Sequence, residues 1–249
     1  MVDQTEQPIG LFSAYETWKN RTLNSEALSL VPLATMKIKV CGMREPDNVA
    51  NVATLQPDYL GFIFAENSPR YVPEDMDIAL ADPDIPQRVG VFVNADFDTI
   101  QKKVRDYGLQ VIQLHGDETP TLAKALRAHG LKVWKVFGVG KEGFDFSRLE
   151  PFLPVVDAFL FDTKGISRGG NGVAFDWGIL EDYPYKKPFL LSGGVDLDNV
   201  NELPRLKDLP LLGIDVNSKF ELEPAYKDVD MLAVLFEKVK GKNWRITEH

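Results

Sequence analysis

Four side chains of the kinds that move protons or bind anions follow short apolar runs of the sequence. Cys41 closes KIKVC, Arg70 lies in AENSPRYV, His115 in QLHGDE and Asp162 in FDTKG. A thiolate can remove a proton from carbon or nitrogen, and a carboxylic acid can protonate a leaving oxygen. A guanidinium offers a fork that matches a planar carboxylate. These residue types together predict acid–base chemistry on a small substrate.

Two later segments have the composition of a phosphate site. SGGV contains Gly193 and Gly194, and DVNSKFE contains Asn217 and Ser218. Glycine matters here because any side chain would hold the backbone N–H groups away from the phosphate oxygens. The competing interpretation is a tight turn before a helix capped by Asp196. Agreement between two such segments favours phosphate, with the two glycines, Asn217 and Ser218 as its ligands.

Each of the four reactive side chains also has a purely structural interpretation. A lone cysteine such as Cys41 is most often a buried apolar thiol. Asp162 can cap the turn that follows it, Arg70 can be a surface charge after a Ser-Pro turn, and His115 can be a hydrogen-bonded wall. No Ser/His/Asp triad and no Cys/His spacing typical of a metal site competes with them.

The surrounding sequence alternates apolar runs of strand length with segments of helical periodicity. The runs are nearly continuous in Val, Ile, Leu and Phe, which is typical of strands buried on both faces of a parallel sheet. We predict eight strands, at 37–41, 58–64, 88–93, 109–114, 132–139, 158–162, 188–192 and 211–216.

Apolar stripes at helical spacing separate several of these strands. One stripe covers 97–107 before a glycine ends it, DETPTLAKALRAHG repeats the pattern, and a longer helix carries the stripe 229–239. The helical signal is weaker in 140–157 and 176–187, which predicts short helices or irregular crossovers there.

Eight strand-and-crossover units in about 210 residues predict a closed (β/α)8 barrel of the TIM type. An open doubly wound sheet competes, but it usually has a Gly-rich dinucleotide turn after its first strand, and CGMREP is not one. In a barrel the carboxyl ends of all strands meet at one mouth, where the active site lies. Cys41 and Asp162 end strands one and six, so they can flank a small substrate there.

Residues 37–249 are predicted to form the barrel domain, and residues 1–36 an N-terminal extension. Leu11, Tyr15 and Trp18 stand at helical spacing within the extension and indicate a short amphipathic helix. We expect the extension to pack on the outside of the barrel or on another subunit, with no catalytic role.

Composition and charge exclude several classes of protein. A net charge of −9 and a pI near 4.9 argue against a sequence-independent nucleic-acid binder, which needs a basic face. No apolar run approaches the ~20 residues that span a bilayer, and MVDQTEQPIG lacks the features of a signal peptide. A single cysteine forbids an internal disulfide and suits a reducing cytosol. We expect a cytoplasmic monomer or homodimer without nucleic-acid or membrane partners.

In their order along the chain, these segments resemble the phosphoribosylanthranilate isomerases of tryptophan biosynthesis. The resemblance covers residues 37–240 and is specific, because the ordered matches recur at barrel spacing. The matching segments are KVCGM, DYLGFIFAENSPRYV, GVFVN, QLHGDE, FLFDTKG with GGNGVAFDW, LSGGVDLDNV, and GIDVNSKFE with a later KD.

The resemblance implies an Amadori rearrangement of N-(5-phosphoribosyl)anthranilate to 1-(2-carboxyphenylamino)-1-deoxyribulose 5-phosphate. Asp162 would be the general acid that opens the ribose ring to a Schiff base, and Cys41 the general base that removes the C2 proton. Arg70 would bind the anthranilate carboxylate, and Asp215 would lie at the edge of the phosphate loops. From its position at the end of the fourth strand, His115 is expected to contact the substrate. No cofactor or metal is implied, because the substrate's own nitrogen stabilises the intermediate.

The chain departs from the family pattern after strand eight, where Asn217, Ser218 and Lys219 replace two serines and a glycine. Two other functions are open at this point. An aminoaldose isomerase of the histidine pathway is expected to use two carboxylates, and a barrel without catalysis would only bind a phosphorylated ligand. The presence of both Cys41 and Asp162 favours the first isomerase over these alternatives.

Overall fold

A closed ring of eight parallel strands forms the centre of the computed structural model, which describes residues 36–74, 76, 86–163 and 175–241. Each strand pairs with its neighbours in chain order, and β1 closes the ring by pairing with β8. The predicted barrel and all eight predicted strands are confirmed. The strands are β1 Lys37–Val40, β2 Tyr59–Ile63, β3 Gln87–Phe92, β4 Val111–Leu114, β5 Lys132–Val139, β6 Ala158–Thr163, β7 Phe189–Leu191 and β8 Leu211–Val216. The predicted extension lies outside the described residues, apart from Met36 at its end.

Four α-helices pack around the ring in the described ranges: α1 Pro46–Ala53, α2 Phe97–Tyr107, α3 Pro120–Ala128 and α4 Val229–Lys240. Asp96 begins α2 by accepting a hydrogen bond from the backbone N–H of Thr99, and Gly108 ends it in the left-handed conformation. The three helices expected from apolar stripes are confirmed, whereas α1 was not predicted. None of the helices in the described ranges is long and apolar enough to cross a membrane.

Three crossovers consist of 3-10 helices, at Phe146–Phe152, Trp177–Asp182 and Asn199–Leu206. Pro151 and Pro204 lie inside the first and the third. Proline lacks the N–H group that a longer α-helix would need, so these segments stay short. The first two occupy the intervals where the sequence predicted short helices or irregular crossovers.

A small hairpin connects β8 to α4 and is fixed to the barrel by α1. It follows the 3-10 turn Ser218–Phe220 and consists of β9 Glu221–Glu223 and β10 Tyr226–Lys227. Asn48 of α1 donates to the backbone oxygen of Lys227 at 2.9 Å and accepts its N–H at 2.7 Å. This buried double hydrogen bond fixes the position of the Lys227 side chain and of the hairpin that carries it.

The apolar core has two separate parts. The larger part packs the outside of the sheet against the helices. The smaller part fills the interior of the ring with side chains from β2 to β7: Tyr59, Val89, Val111, Trp134, Val136, Ala158, Leu160 and Leu190. Because the interior is packed in this way, the carboxyl-end mouth is where the fold can hold a substrate.

Candidate active site

The carboxyl ends of β1, β4, β6 and β8 bring four predicted site residues to the same mouth. Cys41 and His115 directly follow β1 and β4, while Asp162 and Asp215 are the penultimate residues of β6 and β8. His115 Nε2 lies 3.4 Å from Asp162 Oδ2, and the charge of Asp162 acts on the carboxyl group of Asp215. These residues therefore form one group across the ring.

Both carboxylate oxygens of Asp162 have defined neighbours. Oδ1 accepts the backbone N–H of Thr163 at 2.9 Å, and Oδ2 faces His115. Thr163 is itself held, because its hydroxyl donates to the backbone oxygen of Gly193 at 3.1 Å and accepts the N–H of Phe175 at 3.1 Å. Asp162 is thus a buried, oriented carboxyl group and not an exposed turn residue.

Cys41 continues the barrel pairing beyond the end of β1. Its N–H donates to the backbone oxygen of Val216 at 2.8 Å, and the residue is 4 % exposed. Gly42 then turns the chain with φ of 73°, a conformation that favours glycine. A Cβ on Gly42 would lie 2.6 Å from both the Asn217 amide oxygen and Arg70 Cδ, so glycine also allows these two side chains to pack against the backbone that follows Cys41.

A buried ion pair lies one inward-facing position below Cys41. Lys39 Nζ donates to Asp215 Oδ1 at 2.8 Å, and Ser192 Oγ donates to the other oxygen at 3.3 Å. The Lys39 side chain is 0 % exposed. Lys39 and Cys41 share a face of β1, since side chains two residues apart on a strand point the same way.

Burial and the neighbouring opposite charges shift the pKa values of Cys41, Asp215 and Lys39 in opposite directions. Burial raises the pKa of the Cys41 thiol above its ordinary value, and the positive charge of Lys39 offsets only part of this effect. Burial likewise raises the pKa of Asp215. Burial alone would lower the pKa of Lys39, but the negative charges of Asp215 and Cys41 outweigh it and raise that pKa. Lys39 is therefore a cation at neutral pH.

Arg70 forms a bidentate pair with a carboxylate of the chain itself. Its Nε donates to Glu221 Oε1 at 2.8 Å and its Nη2 donates to Oε2 at 2.5 Å. Arg70 is 9 % exposed and so is not the free surface charge that the Ser-Pro turn allowed. Lys227 also donates to Glu221, and burial lowers the pKa of Lys227 to about 8. The carboxylate thus lies between two cations.

Gly193 and Gly194 both adopt left-handed backbone conformations, with φ of 76° and 81°. Asn199 fixes their loop by donating its side-chain N–H to the backbone oxygen of Gly194 at 2.7 Å. The following 3-10 helix has Asp198, not Asp196, as its N-cap residue, and Asp198 makes no side-chain cap hydrogen bond. Asp196 lies just before it and accepts the backbone N–H groups of Asp198 and Asn199. The hydrogen bonds of Asp196 and an anion site at the glycines are compatible, because they use different backbone groups.

Asn217 and Ser218 lie where β8 passes into the hairpin. The side-chain oxygen of Asn217 accepts a hydrogen bond from Lys227 Nζ at 2.7 Å. Ser218 opens the 3-10 turn that follows. The structure therefore places the Asn217 side chain against the Arg70, Glu221 and Lys227 cluster, at the edge of the mouth next to β1.

Lys39, Glu221 and Lys227 belong to this site but were not found from the sequence. Lys39 had a usable signal, because a lysine inside an otherwise apolar buried strand, two residues before Cys41, is unusual. Glu221 and Lys227 lie in a polar segment with no distinguishing pattern. Within the described ranges, no three His, Cys, Asp or Glu side chains are grouped so that they could hold a metal ion.

The closed barrel, with a buried thiol and an oriented carboxyl group at its carboxyl-end mouth, belongs to the (β/α)8-barrel class of enzymes. Residues 38–238 match the family model for N-(5'-phosphoribosyl)anthranilate (PRA) isomerase. The chain belongs to this family, and the resemblance seen in the sequence is confirmed.

Relatives in sequence and in structure agree with this assignment. The chain is 40% identical over 207 residues to N-(5'-phosphoribosyl)anthranilate isomerase of Parabacteroides distasonis, an alignment that covers 82% of this chain and 93% of the relative. The phosphoribosyl anthranilate isomerase structure from Thermotoga maritima is 30% identical, with a TM-score of 0.72 over 83% of this chain and 99% of that one. A similar structure, 28% identical with a TM-score of 0.69 and the same coverage, holds reduced 1-(O-carboxyphenylamino)-1-deoxyribulose 5-phosphate.

Proposed function

We propose that this chain catalyses the rearrangement of its family, from N-(5-phosphoribosyl)anthranilate to 1-(2-carboxyphenylamino)-1-deoxyribulose 5-phosphate, with Asp162 as acid and Cys41 as base. The observation that carries the proposal is the placement of a buried thiol after β1 and an oriented carboxyl group on β6 at one mouth. Two separate groups are needed, because one proton is delivered to oxygen and another is removed from carbon.

In the first step Asp162 protonates the ring oxygen of the ribose. The C1–O bond breaks, and the nitrogen lone pair forms the C1=N bond of a Schiff base. Oδ1 is held by the Thr163 N–H, which supports Oδ2 as the oxygen that carries and delivers the proton. His115 lies on the Oδ2 side at 3.4 Å, where we propose that it orients the carboxyl group and contacts the substrate.

In the second step the Cys41 thiolate removes the proton from ribose C2. The C–H electrons form the C1=C2 bond of an enolamine, while the C1=N electrons return to nitrogen. The proton then returns from Cys41 to C1 while the C2 hydroxyl gives up its proton, which restores the acid form spent in the first step. The product is the ketone, so that no atom is gained or lost overall. The burial of Cys41 excludes water from this step, and a dry site strengthens the electrostatic interactions within it.

Arg70 is proposed to bind the anthranilate carboxylate with the edge of its guanidinium formed by Nη1 and Nη2. Glu221 occupies the Nε and Nη2 edge, and Lys227 partly neutralises Glu221. The cluster of Arg70, Glu221 and Lys227 therefore has a net positive charge. The Arg70 guanidinium is held in a fixed orientation toward the substrate. Glu221 and Lys227 thus support Arg70 from behind.

The phosphate is proposed to lie between the loops after β7 and β8, on Gly193, Gly194, Asn217 and Ser218. The left-handed glycines support this role, because they bring the backbone close to a ligand without a side chain in between. Asp215 is proposed to lie beneath that edge of the mouth. In this proposal the partner of the chain is its substrate, a phosphorylated small molecule.

The remaining expectations form part of the same proposal. A net charge of −9 supports an enzyme that does not bind nucleic acid, and a lone thiol used as a base supports the reducing cytoplasm. We propose a monomer or homodimer in which residues 37–249 form the catalytic domain and residues 1–36 an extension with no catalytic role.

The activity is tested directly by adding freshly prepared N-(5-phosphoribosyl)anthranilate to the purified chain and following its fluorescence. We expect the substrate fluorescence to decay far faster than the spontaneous rate. Formation of the aminoketose is confirmed by chromatography that separates it from the substrate, its isomer. The control is the Cys41→Ser/Asp162→Asn double variant from the same preparation. Decay equal to the spontaneous rate in the unmodified protein would contradict catalysis and support a barrel that only binds.

Glu221→Gln is expected to raise KM by about tenfold and to leave kcat within about twofold, because a charged hydrogen bond contributes roughly 1.5–3 kcal/mol. The loss of the anion releases the Arg70 fork from its orientation without touching the acid or the base. Steady-state kinetics at neutral pH measures both constants. Glu223→Gln, an exposed residue of the same hairpin, is the matched control. A fall in kcat with unchanged KM would rule out this role for Glu221.

A further inference from the structure

The Lys39–Asp215 ion pair takes no part in the steps proposed above, yet it lies against the reactive sulfur. Gly61 of β2 faces both groups. A Cβ on this glycine would lie 2.8 Å from Cys41 Sγ and 2.9 Å from Lys39 Nζ, so the two atoms are no farther apart than the sum of these distances. The missing side chain of Gly61 therefore opens a space that the thiol and the ammonium group share.

The position of this pair is unusual for a barrel interior. The interior from β2 to β7 is lined mainly by the apolar cluster, whereas β1 and β8 contribute Lys39 and Asp215, which are opposite each other in the register. Taking two charges out of water costs several kcal/mol per ion, and well-packed apolar residues are often as stable in such places. Stability alone does not explain a charged pair here.

We propose that Lys39 is a positioning residue of the reaction, whose ammonium group stabilises Cys41 as a thiolate, and that Asp215 is the counter-ion of that ammonium group in the resting enzyme. The inference rests on the proposed role of Cys41 as the base. Lys39 is fully buried beneath the sulfur, so it acts through Cys41 and not by touching the substrate.

Three charged groups act on the Cys41 sulfur, and the sign of each charge determines whether it favours or disfavours the thiolate. Lys39 acts by charge and by hydrogen bonding, and both favour the thiolate. Lys227 favours the thiolate by charge alone, from its place beside Glu221 and Asn217. Asp215 disfavours the thiolate, because it adds a negative charge nearby. In the resting enzyme Asp215 is the counter-ion of Lys39, and a thiolate becomes a second anion for the same cation.

The state of the sulfur can be measured without any turnover. Cys41 is the only cysteine of the chain, so thiolate absorbance near 240 nm reports on it once the Cys41→Ser spectrum is subtracted at each pH. We expect Lys39→Met to raise the thiol pKa by about one unit or more, which is a tenfold loss of thiolate at a given pH. Lys39→Arg keeps the charge and should restore most of the thiolate.

Asp215→Asn should act in the opposite direction. It removes the competing anion and makes the Cys41 thiolate the nearest counter-ion of Lys39, so we expect the thiol pKa to fall. If Lys39→Met does not fold, Asp215→Asn serves as the test by itself. It leaves Lys39 paired with the Cys41 thiolate, whereas Lys39→Met leaves the Asp215 carboxylate buried without its partner. Circular dichroism at the start of each titration checks that the variants are folded.

The pH profile of kcat/KM connects this measurement to the reaction. For Lys39→Met we expect the limb that rises with pH to move to higher pH by the same amount as the thiol pKa, with activity recovering at high pH. Lys37→Met removes an ion pair with Asp58 on the same strand, away from the sulfur, and should change neither quantity. A folded Lys39→Met with an unchanged thiol pKa would overturn the proposal. An active Cys41→Ser would instead refute the role of Cys41, which the thiol titration does not assume.

Discussion

Replacing Cys41 with serine is expected to lower kcat by about 10²- to 10⁴-fold, the range that positioned acid–base groups contribute. The hydroxyl fits the space of the thiol but is a far weaker acid, so that almost no alkoxide is available to remove the C2 proton. Affinity for a non-reacting analogue, such as the reduced aminoketose phosphate, should stay within about threefold because none of the proposed carboxylate and phosphate contacts is altered. Turnover is measured by substrate fluorescence, and affinity by calorimetry.

Cys41→Asp separates the need for a base from the need for sulfur. A carboxylate at this position is ionised at neutral pH and should retain more activity than the serine variant. A serine variant with a near-normal rate would show that another group removes the proton. A loss of analogue binding equal to the loss of rate would show that Cys41 holds the substrate instead.

The pH dependence of the unmodified enzyme follows from the same thiol. Burial raises the pKa of Cys41, so the thiol form predominates at neutral pH and the active thiolate increases as the pH rises. We therefore expect kcat/KM to increase with pH through the neutral range, by up to about tenfold per unit while the pH stays below the thiol pKa. The Cys41→Asp variant should lack this rising limb.

The strands could be predicted because buried parallel strands carry a simple signal. In β5 and β8 the continuous apolar runs end at the same residues in sequence and structure. A closed barrel then places every strand end at one mouth, so Cys41, His115, Asp162 and Asp215 could be grouped before any coordinates were known. The closed barrel thus brings together residues that lie far apart in the sequence.

The supporting contacts could not be predicted, because they depend on where irregular segments lie. Glu221 meets Arg70 across 151 positions of sequence, and only the hairpin fixed by Asn48 brings them together. Neither residue stands in a periodic pattern. Asn217 was expected to contact phosphate, but the bond of its side chain to Lys227 depends on the same hairpin. Sequence periodicity identifies regular elements, whereas side-chain hydrogen bonds between loops require the coordinates.

Lys39 is an intermediate case, because its strand was correctly predicted and its burial followed from that prediction. A charge at an inward position of a barrel strand needs a partner, and Asp215 is the acidic residue opposite it in the β1–β8 register. That register could be inferred from barrel closure only to within a residue or two. Charges inside predicted barrel strands are therefore worth treating as site candidates, together with the residues at strand ends.

Asp162→Asn is expected to lower kcat by a similar factor, about 10²- to 10⁴-fold, but by blocking a different step. The amide keeps the size of the side chain, and its oxygen can still accept the Thr163 N–H, so that the loop and the phosphate site should persist. It has no acidic proton to give to the ring oxygen. Asp182→Asn, at an exposed carboxyl group of the same half of the chain, is the control and should have normal kcat and KM.

A substrate with deuterium at ribose C2 distinguishes the two variants. In Cys41→Ser the C2–H bond breaks in the slow step, so kcat should show a full primary isotope effect. In Asp162→Asn ring opening is slow and precedes that bond cleavage, so the isotope effect should fall close to one. The same large effect in both variants would mean that Asp162 assists proton removal from carbon, and the roles of acid and base would have to be reassigned. An isotope effect near one in Cys41→Ser would show that C2 deprotonation is not the slow step of this variant. Cys41 would then not be the base that removes the C2 proton.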